Sequence, residues 1–169
     1  MVRVAINGFG RIGRQFLRSA HGHADFEVVA INDLGSLENL AYLLKYDSAY
    51  GRAPFAVEVA GGKLMVGGKE IAFVSEREPT KLPWKDMNID IVIESTGFFA
   101  KFIDAKQHLE AGAKRVVISA PSKDDPAASG VNAATVLMGV NDDALATCQV
   151  SSNGSCTTNA TSPLVAILK

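Results

Sequence analysis

Residues 151 to 169 read SSNGSCTTNATSPLVAILK, and Cys156 in this stretch is the side chain best suited to nucleophilic attack. Its neighbours Ser155, Thr157 and Thr158 can accept hydrogen bonds from the free N–H groups of a helix's first turn, so the segment predicts a helix starting at 155–157. The apolar run Leu164 to Leu168 predicts a buried stretch of that helix. A helix start turns free amides and the positive end of the dipole toward the sulfur, which favours an anion there. The same amides, with the hydroxyls of Ser155 and Thr157, can receive an oxyanion or a phosphate. Cys148 precedes an apolar strand with nothing reactive around it and reads as a buried structural thiol.

The second set of residues is GFGRIG, with Gly8, Gly10 and Gly13 in G-x-G-x-x-G spacing. Alone the pattern is weak, because glycine triplets occur in many tight turns. Here it follows a predicted strand, opens a predicted helix, and is followed twenty residues after Gly13 by Asp33 at the end of the next strand. That is the full dinucleotide fingerprint. Gly8 permits the turn, Gly10 lets backbone approach a pyrophosphate, Gly13 lets helix and sheet meet, and the helix start offers N–H groups to the anion. Asp33 would accept from the adenosine ribose hydroxyls and repel a 2′-phosphate, so NAD is expected over NADP. Leu34 adds no cation that would reverse the preference.

These residues need strands and helices to hold them. RVAI (3 to 6), the helix RIGRQFLRSA (11 to 20) with Ile12, Phe16 and Leu17 on its apolar face, and EVVAIN (27 to 32) form a βαβ unit. Strand-like IDIVIES (89 to 95), RVVISA (115 to 120), TVLMGV (135 to 140) and CQVSS (148 to 152), with helical AKQHLEAGA (105 to 113), continue the alternation. Near-continuous Val and Ile suit parallel strands buried on both faces. The expected fold is therefore α/β, a Rossmann-type doubly wound parallel sheet. Within it, VEVAGGKLMVGGKEIAFV (57 to 74) reads as a small antiparallel insertion with Gly-Gly turns. SKDDPAASG (122 to 130) reads as a polar surface loop.

A chain of 169 residues, 47% hydrophobic and 21% charged, fits one globular domain. Its net charge of −1, with Lys and Arg scattered among acids, offers no stripe for nucleic acid. No apolar run reaches spanning length and no basic leader precedes the first strand, so no membrane association and a cytoplasmic location are expected. Two cysteines give no disulfide framework, and without CxxC spacing or a His cluster no metal site is expected.

INGFGRIGR (6 to 14), IND (31 to 33), KYDSAYGR (45 to 52), PTKLPW (79 to 84), ESTGFF (94 to 99), KRVVISAPSKD (114 to 124), MGVN (138 to 141) and SCTTN (155 to 159) together resemble the phosphorylating glyceraldehyde-3-phosphate dehydrogenases. The segments occur in that family's order and cover the whole chain. The resemblance implies an NAD-dependent enzyme of glycolysis that oxidises glyceraldehyde 3-phosphate, with inorganic phosphate, to 1,3-bisphosphoglycerate through a thioester on Cys156. It also implies a homotetramer. By resemblance Asn7, Gly8, Gly10, Arg11, Ile12 and Gly13 belong to the cofactor turn, Asp33 to the ribose and Arg77 to the adenine. Thr96, Gly97 and Ser119 belong to the wall near the cofactor, and Ser155 and Thr157 help bind substrate or attacking phosphate.

The chain departs from the family in two ways. Ala160 stands where a second cysteine is usual. Residues 1–155 match the NAD-binding domain and 156–169 the start of the nucleophile's helix, but the catalytic domain that would follow, with its activating histidine and phosphate-gripping arginine, has no counterpart here. His21, His23 and His108 are expected to be solvated surface residues and not replacements, since a base must lie within hydrogen-bond reach of its nucleophile. Two classes of function follow: the NAD-binding half of such a dehydrogenase, with little turnover alone, or a free-standing NAD-binding module with a reactive thiol. An erythrose-4-phosphate dehydrogenase is the neighbouring alternative within the enzyme class.

Overall fold

In the computed structural model, which describes residues 1–168, the chain runs β1 (Val2–Asn7), α1 (Arg11–Ala20), β2 (Phe26–Asn32), α2 (Leu37–Lys45), β3 (Tyr46–Asp47), β4 (Gly51–Arg52), β5 (Val57–Ala60), β6 (Lys63–Val66) and β7 (Lys69–Val74). It continues with β8 (Ile91–Glu94), α3 (Phe102–Ala105), α4 (Gln107–Glu110), β9 (Arg115–Ile118), β10 (Ala133–Thr135), β11 (Val150–Ser152) and α5 (Cys156–Leu168). Nine of the strands form one sheet in the order β10-β11-β9-β8-β1-β2-β7-β6-β5, while β3 and β4 make a separate antiparallel pair.

The period-2 pattern of the central strands divides the core into two layers. On one side Val4, Ile6 and Ile31 meet Leu17 of α1 and Leu40 and Leu44 of α2. On the other, Ala5 and Ala30 are small enough to leave room for Trp84 and Phe102, both fully buried. Burying a side chain such as Ile6 contributes about 2 kcal/mol, and truncating one such as Ile31 to Ala costs about 3 kcal/mol.

Strands β10, β11, β9, β8, β1, β2 and β7 are mutually parallel, so their carboxyl ends all point to one edge of the sheet. The chain leaves β1 toward β2 on one side and returns to β8 on the other, which makes the gap above β1 and β8 the topological switch point. The run 57–74 forms the expected three strands with Gly-Gly turns, antiparallel to one another. The structure refines that reading: β7 pairs in parallel with β2, Ile31 opposite Phe73, so the three strands extend the main sheet.

Several local expectations are corrected. Leu17 is buried and Phe16 packs partly buried, as expected, but Ile12 is 54% exposed and α1 also buries Gly13, Arg14 and Ala20, because the helix lies on the sheet through its small glycine. The predicted helix 105–113 is two short ones displaced toward 102, parting at Lys106, where the Leu109 amide reaches back only three residues to the Lys106 carbonyl (2.8 Å). The strand expected over 135–140 ends at Thr135, since Asn141 takes the next backbone groups: its Oδ1 accepts from Leu137 N and its Nδ2 donates to Thr135 O. Loop 122–130 is more than surface, because the Asp124 carboxylate caps α3 by accepting from the amides of Phe102 and Ile103. The stretch Leu164–Leu168 of α5 is exposed rather than buried, with Ile167 at 80%, because among the described residues no other element covers it.

Candidate functional site

A cavity of about 530 Å³ opens at the switch point. Its floor is Asn7, Gly8, Asn32 and Thr96 at the ends of β1, β2 and β8, and its rim carries Gly10, Asp33, Leu34, Arg77, Phe98 and Phe99. Another cavity, beside Met1, Asp25 and Asp90, lies at the opposite end of β1, away from the motif loops. The carboxyl edge is where ligands of open parallel sheets bind.

The three glycines separate by what a side chain would meet. Gly8 sits at φ +92°, and a Cβ there would lie 2.6 Å from the Thr96 amide nitrogen. At Gly13 a Cβ would come within 2.2 Å of the Gly8 carbonyl oxygen, so the helix could not approach the strand. At Gly10 nothing lies within 4 Å, so its missing side chain serves the space above the loop. Ser95 braces the turn by donating from Oγ to the Gly8 carbonyl (2.7 Å), and Arg14 does so from within by donating to the Phe9 carbonyl (2.8 Å). Burial, and then the nearby charge of Arg11, push the Arg14 guanidinium below its ordinary value.

Gly10 caps α1 with no side-chain acceptor, so the amides at the start of the helix are open to an anion. Asp33 is held by two amides, one on each oxygen: Phe9 N on Oδ2 at 2.6 Å and Gly35 N on Oδ1 at 2.8 Å. Each oxygen keeps acceptor capacity for a hydroxyl. An empty space at Gly10, uncapped amides and a fixed carboxylate at the rim fit a dinucleotide.

The other expected cofactor residues divide. Asn7, Gly8, Gly10, Asp33, Arg77 and Thr96 line the cavity, whereas Arg11, Ile12, Gly13, Gly97 and Ser119 do not. The side chain of Arg11 points instead to Asp47 at 3.1 Å. The Asp47 carboxyl is held below the usual range first by the Tyr50 and Ala49 amides and then by Arg11. Ser119 donates its amide to the Glu94 carbonyl at the end of β9, next to the wall it was assigned to. Asn32, Glu76, Phe98 and Phe99 were not singled out from the sequence. Asn32 at the end of an apolar strand and Phe98 and Phe99 in ESTGFF gave a signal without a role, and Glu76 gave none.

At the other end of this edge β11 turns into α5 through Gly154, at φ +68°. Ser155 caps the helix, its Oγ accepting from Thr158 N at 3.0 Å and lying 2.9 Å from Thr157 Oγ1. Asn159, which sequence reasoning passed over, ties the helix to the preceding loop by donating to the carbonyls of Asn153 (2.6 Å) and Ser155 (2.9 Å). The result is an exposed Cys156 at the first position of a capped helix, as expected. Cys148 is buried, and burial pushes its thiol up.

The histidine expectation holds for two of three. His21 and His23 are exposed, His21 tilted against Phe55 and His23 stacked on Phe26. His108 is fully buried between Trp84 and Glu94, because the short helix that carries it lies against the second core layer. None of the three serves Cys156. Among the described residues no group of three or more His, Cys, Asp or Glu side chains is placed to hold a metal, and no helix is long and apolar enough to cross a membrane.

Residues 2–102 match the family model described as glyceraldehyde 3-phosphate dehydrogenase, NAD binding domain. The whole chain is similar to curated proteins named glyceraldehyde-3-phosphate dehydrogenase. It is 50% identical to that of Geobacillus stearothermophilus over 99% of this chain and 48% of the relative. It is 49% identical to the one named cytosolic from Trypanosoma brucei brucei over 99% of this chain and 49% of the relative. A Bacillus subtilis relative is 48% identical over the same shares, 99% and 48%. The chain therefore spans about half the length of the curated relatives it matches.

Proposed function

We propose, on the premise that this chain belongs to the glyceraldehyde 3-phosphate dehydrogenase family and carries its NAD-binding domain, that it holds NAD⁺ along the carboxyl edge of its sheet and presents Cys156 to the aldehyde of glyceraldehyde 3-phosphate. The observation that carries this reading is the shared edge. Asp33 follows β2, the glycine turn follows β1, and Cys156 follows β11, three strands from β1. That is roughly 14 Å from β1 at the usual strand spacing, so an extended dinucleotide bound at Asp33 runs toward the thiol.

Asp33 takes the ribose hydroxyls and disfavours a 2′-phosphate, the turn from Asn7 to Gly13 takes the pyrophosphate on the amides of Arg11 and Ile12, and Arg77 lies beside the adenine. Thr96, Gly97 and Ser119 wall the path toward β11. When bound, NAD⁺ supplies the hydride acceptor. The Cys156 sulfur adds to the aldehyde carbon to give a hemithioacetal. Loss of hydride and of the hydroxyl proton leaves a thioester, and inorganic phosphate then displaces the thiolate to give 1,3-bisphosphoglycerate. Ser155 and Thr157 hold the phosphate or substrate by their hydroxyls.

The base that takes the proton is not among this chain's histidines, so turnover, the substrate grip, a homotetramer and a cytoplasmic location are assigned to the whole protein. Residues 1–155 form the cofactor domain and 156–169 open the nucleophile's helix, Lys169 lying outside the described residues. Calorimetric titration of the chain with NAD⁺ and, in parallel, NADP⁺ tests the reading. Saturable binding that prefers NAD⁺, without steady-state turnover, is expected. Equal affinity for the two would remove the role of Asp33, and no binding of either would remove the site.

A further inference from the structure

Beneath the cavity floor, behind Asn7 and Thr96, lie two buried polar side chains, Glu94 and His108, that none of the chemistry above uses. Glu94 is 2% exposed and His108 is fully buried. The Glu94 carboxylate meets donors on both oxygens. Oε1 accepts from the amide of Thr96 (2.8 Å) and from its hydroxyl, while Oε2 accepts from Asn7 Nδ2 (2.6 Å) and lies 3.0 Å from His108 Nε2. The Thr96 hydroxyl itself accepts from Phe98 N at 3.1 Å, which leaves its hydrogen for Glu94.

On the far side of the imidazole, Trp84 Nε1 lies 3.0 Å from His108 Nδ1. An indole nitrogen can only donate, so Nδ1 accepts, and the ring proton sits on Nε2, facing Glu94. Asn7 continues the chain by accepting at Oδ1 from Asn32 Nδ2 (2.7 Å). Asn32 pairs with the backbone of Glu76 on both sides, donating to its carbonyl and accepting its amide at 2.9 Å each. The indole of Trp84 fixes the direction at His108 and the Glu76 backbone fixes it at Asn32 and through Asn32 at Asn7; Asn7 Nδ2 and His108 Nε2, 3.4 Å apart, then both donate to Glu94 Oε2.

We propose that Glu94 is a positioning residue of the dinucleotide cavity: an acceptor-only carboxylate that fixes Asn7 and Thr96 at the floor, oriented by His108, which Trp84 locks as the Nε2–H tautomer. Asn7 and Thr96 line the cavity, and each loses its acceptor on Glu94 if the carboxylate gains a donor. Glutamine at position 94 has the right shape but puts an NH₂ either against Asn7 and His108 or against Thr96. The ring of His108 cannot relieve the clash by moving its proton, because Trp84 occupies Nδ1. The role rests on the dinucleotide reading of the cavity, whereas the tautomer does not.

The test begins with the unmodified 169-residue chain. A long-range ¹⁵N–¹H spectrum is expected to show His108 with hydrogen on Nε2 and a bare Nδ1, and a proton on Nδ1 would overturn the proposal. NAD⁺ titration of E94Q is expected to give a dissociation constant about tenfold weaker than the parent, whereas a value within about twofold overturns the role. If E94Q does not fold, His108 decides. H108Q can accept from Trp84 with its oxygen and donate to Glu94 with its NH₂, so it is expected to bind NAD⁺ like the parent, whereas H108L, of similar size, is expected to bind several-fold more weakly. Equal affinity of H108Q and H108L overturns the proposal. A parent that binds no NAD⁺ removes the cavity's function and the positioning role together, while the His108 spectrum still reports the tautomer.

Discussion

Around Gly8, Asp33 and Thr96 the polar groups are anchored from below and behind: Asp33 by two amides, the glycine turn by Ser95 and Arg14, the floor by Asn7 and Asn32. Around Cys156 the anchors are the Ser155 cap and the Asn159 tie, and no described residue of α5 is buried. The cofactor end of the edge is thus shaped within this chain, while the thiol end is a presented group on an uncovered helix. Preorganisation of a binding site comes from the strands beneath it, and a nucleophile can be placed by a helix start alone.

The sharpest way to break this contrast uses the two glycines of the turn. Gly13→Ala forces a Cβ against the Gly8 carbonyl and the Ile6 side chain. It is expected to cost about 3 kcal/mol in urea unfolding and to abolish NAD⁺ binding. Gly10→Ala meets nothing and is expected to cost no more than about 1 kcal/mol through its weaker cap, yet to weaken NAD⁺ binding clearly. If Gly10→Ala bound NAD⁺ as the parent does, the open space at residue 10 would have no part in cofactor binding.

Asp33→Ala comes next. It is expected to weaken NAD⁺ binding about tenfold and to narrow the preference over NADP⁺, with about 1 kcal/mol lost from the freed Phe9 and Gly35 amides. Selectivity equal to the parent's in parallel titrations would contradict the ribose assignment.

At the thiol end, iodoacetamide near neutral pH is expected to label exposed Cys156 well before buried Cys148, whose thiol burial pushes up. Peptide mapping with Cys148 modified first would be the contrary result. The smallest effect is expected for Ser155→Ala, which removes the helix cap at a cost of about 1 kcal/mol without changing NAD⁺ affinity. A matching loss of NAD⁺ affinity would show that the two ends of the edge are coupled.

What could be read in the sequence was local chemistry. The glycine spacing, Asp33 at a strand end, the Ser155 cap and the Gly-Gly turns at 61–62 and 67–68 each follow from backbone rules that need no distant partner. What could not be read depends on what lies across the core. Ile12 reads as buried by periodicity but faces outward because Gly13 is the residue pressed to the sheet. His108 reads as solvated because its helix lies between distant strands, and the placement of Trp84, 24 residues earlier, and of Glu94 makes it interior. The apolar end of α5 reads as core, yet among the described residues it is exposed.

The position of β1 between β2 and β8 has a consequence for how the cavity moves. Amides in a strand paired on both sides exchange with solvent only when the whole sheet opens, so those of Ala5 to Asn7 should be among the slowest in the molecule. The cavity floor at Asn7 and Gly8 hangs from that strand, so its backbone is expected to open only with the sheet. Adjustment to an arriving ligand then falls to the rim, where Leu34, Arg77 and Phe98 stand exposed. Deuterium uptake with and without NAD⁺ should accordingly change at the rim and leave β1 as it was.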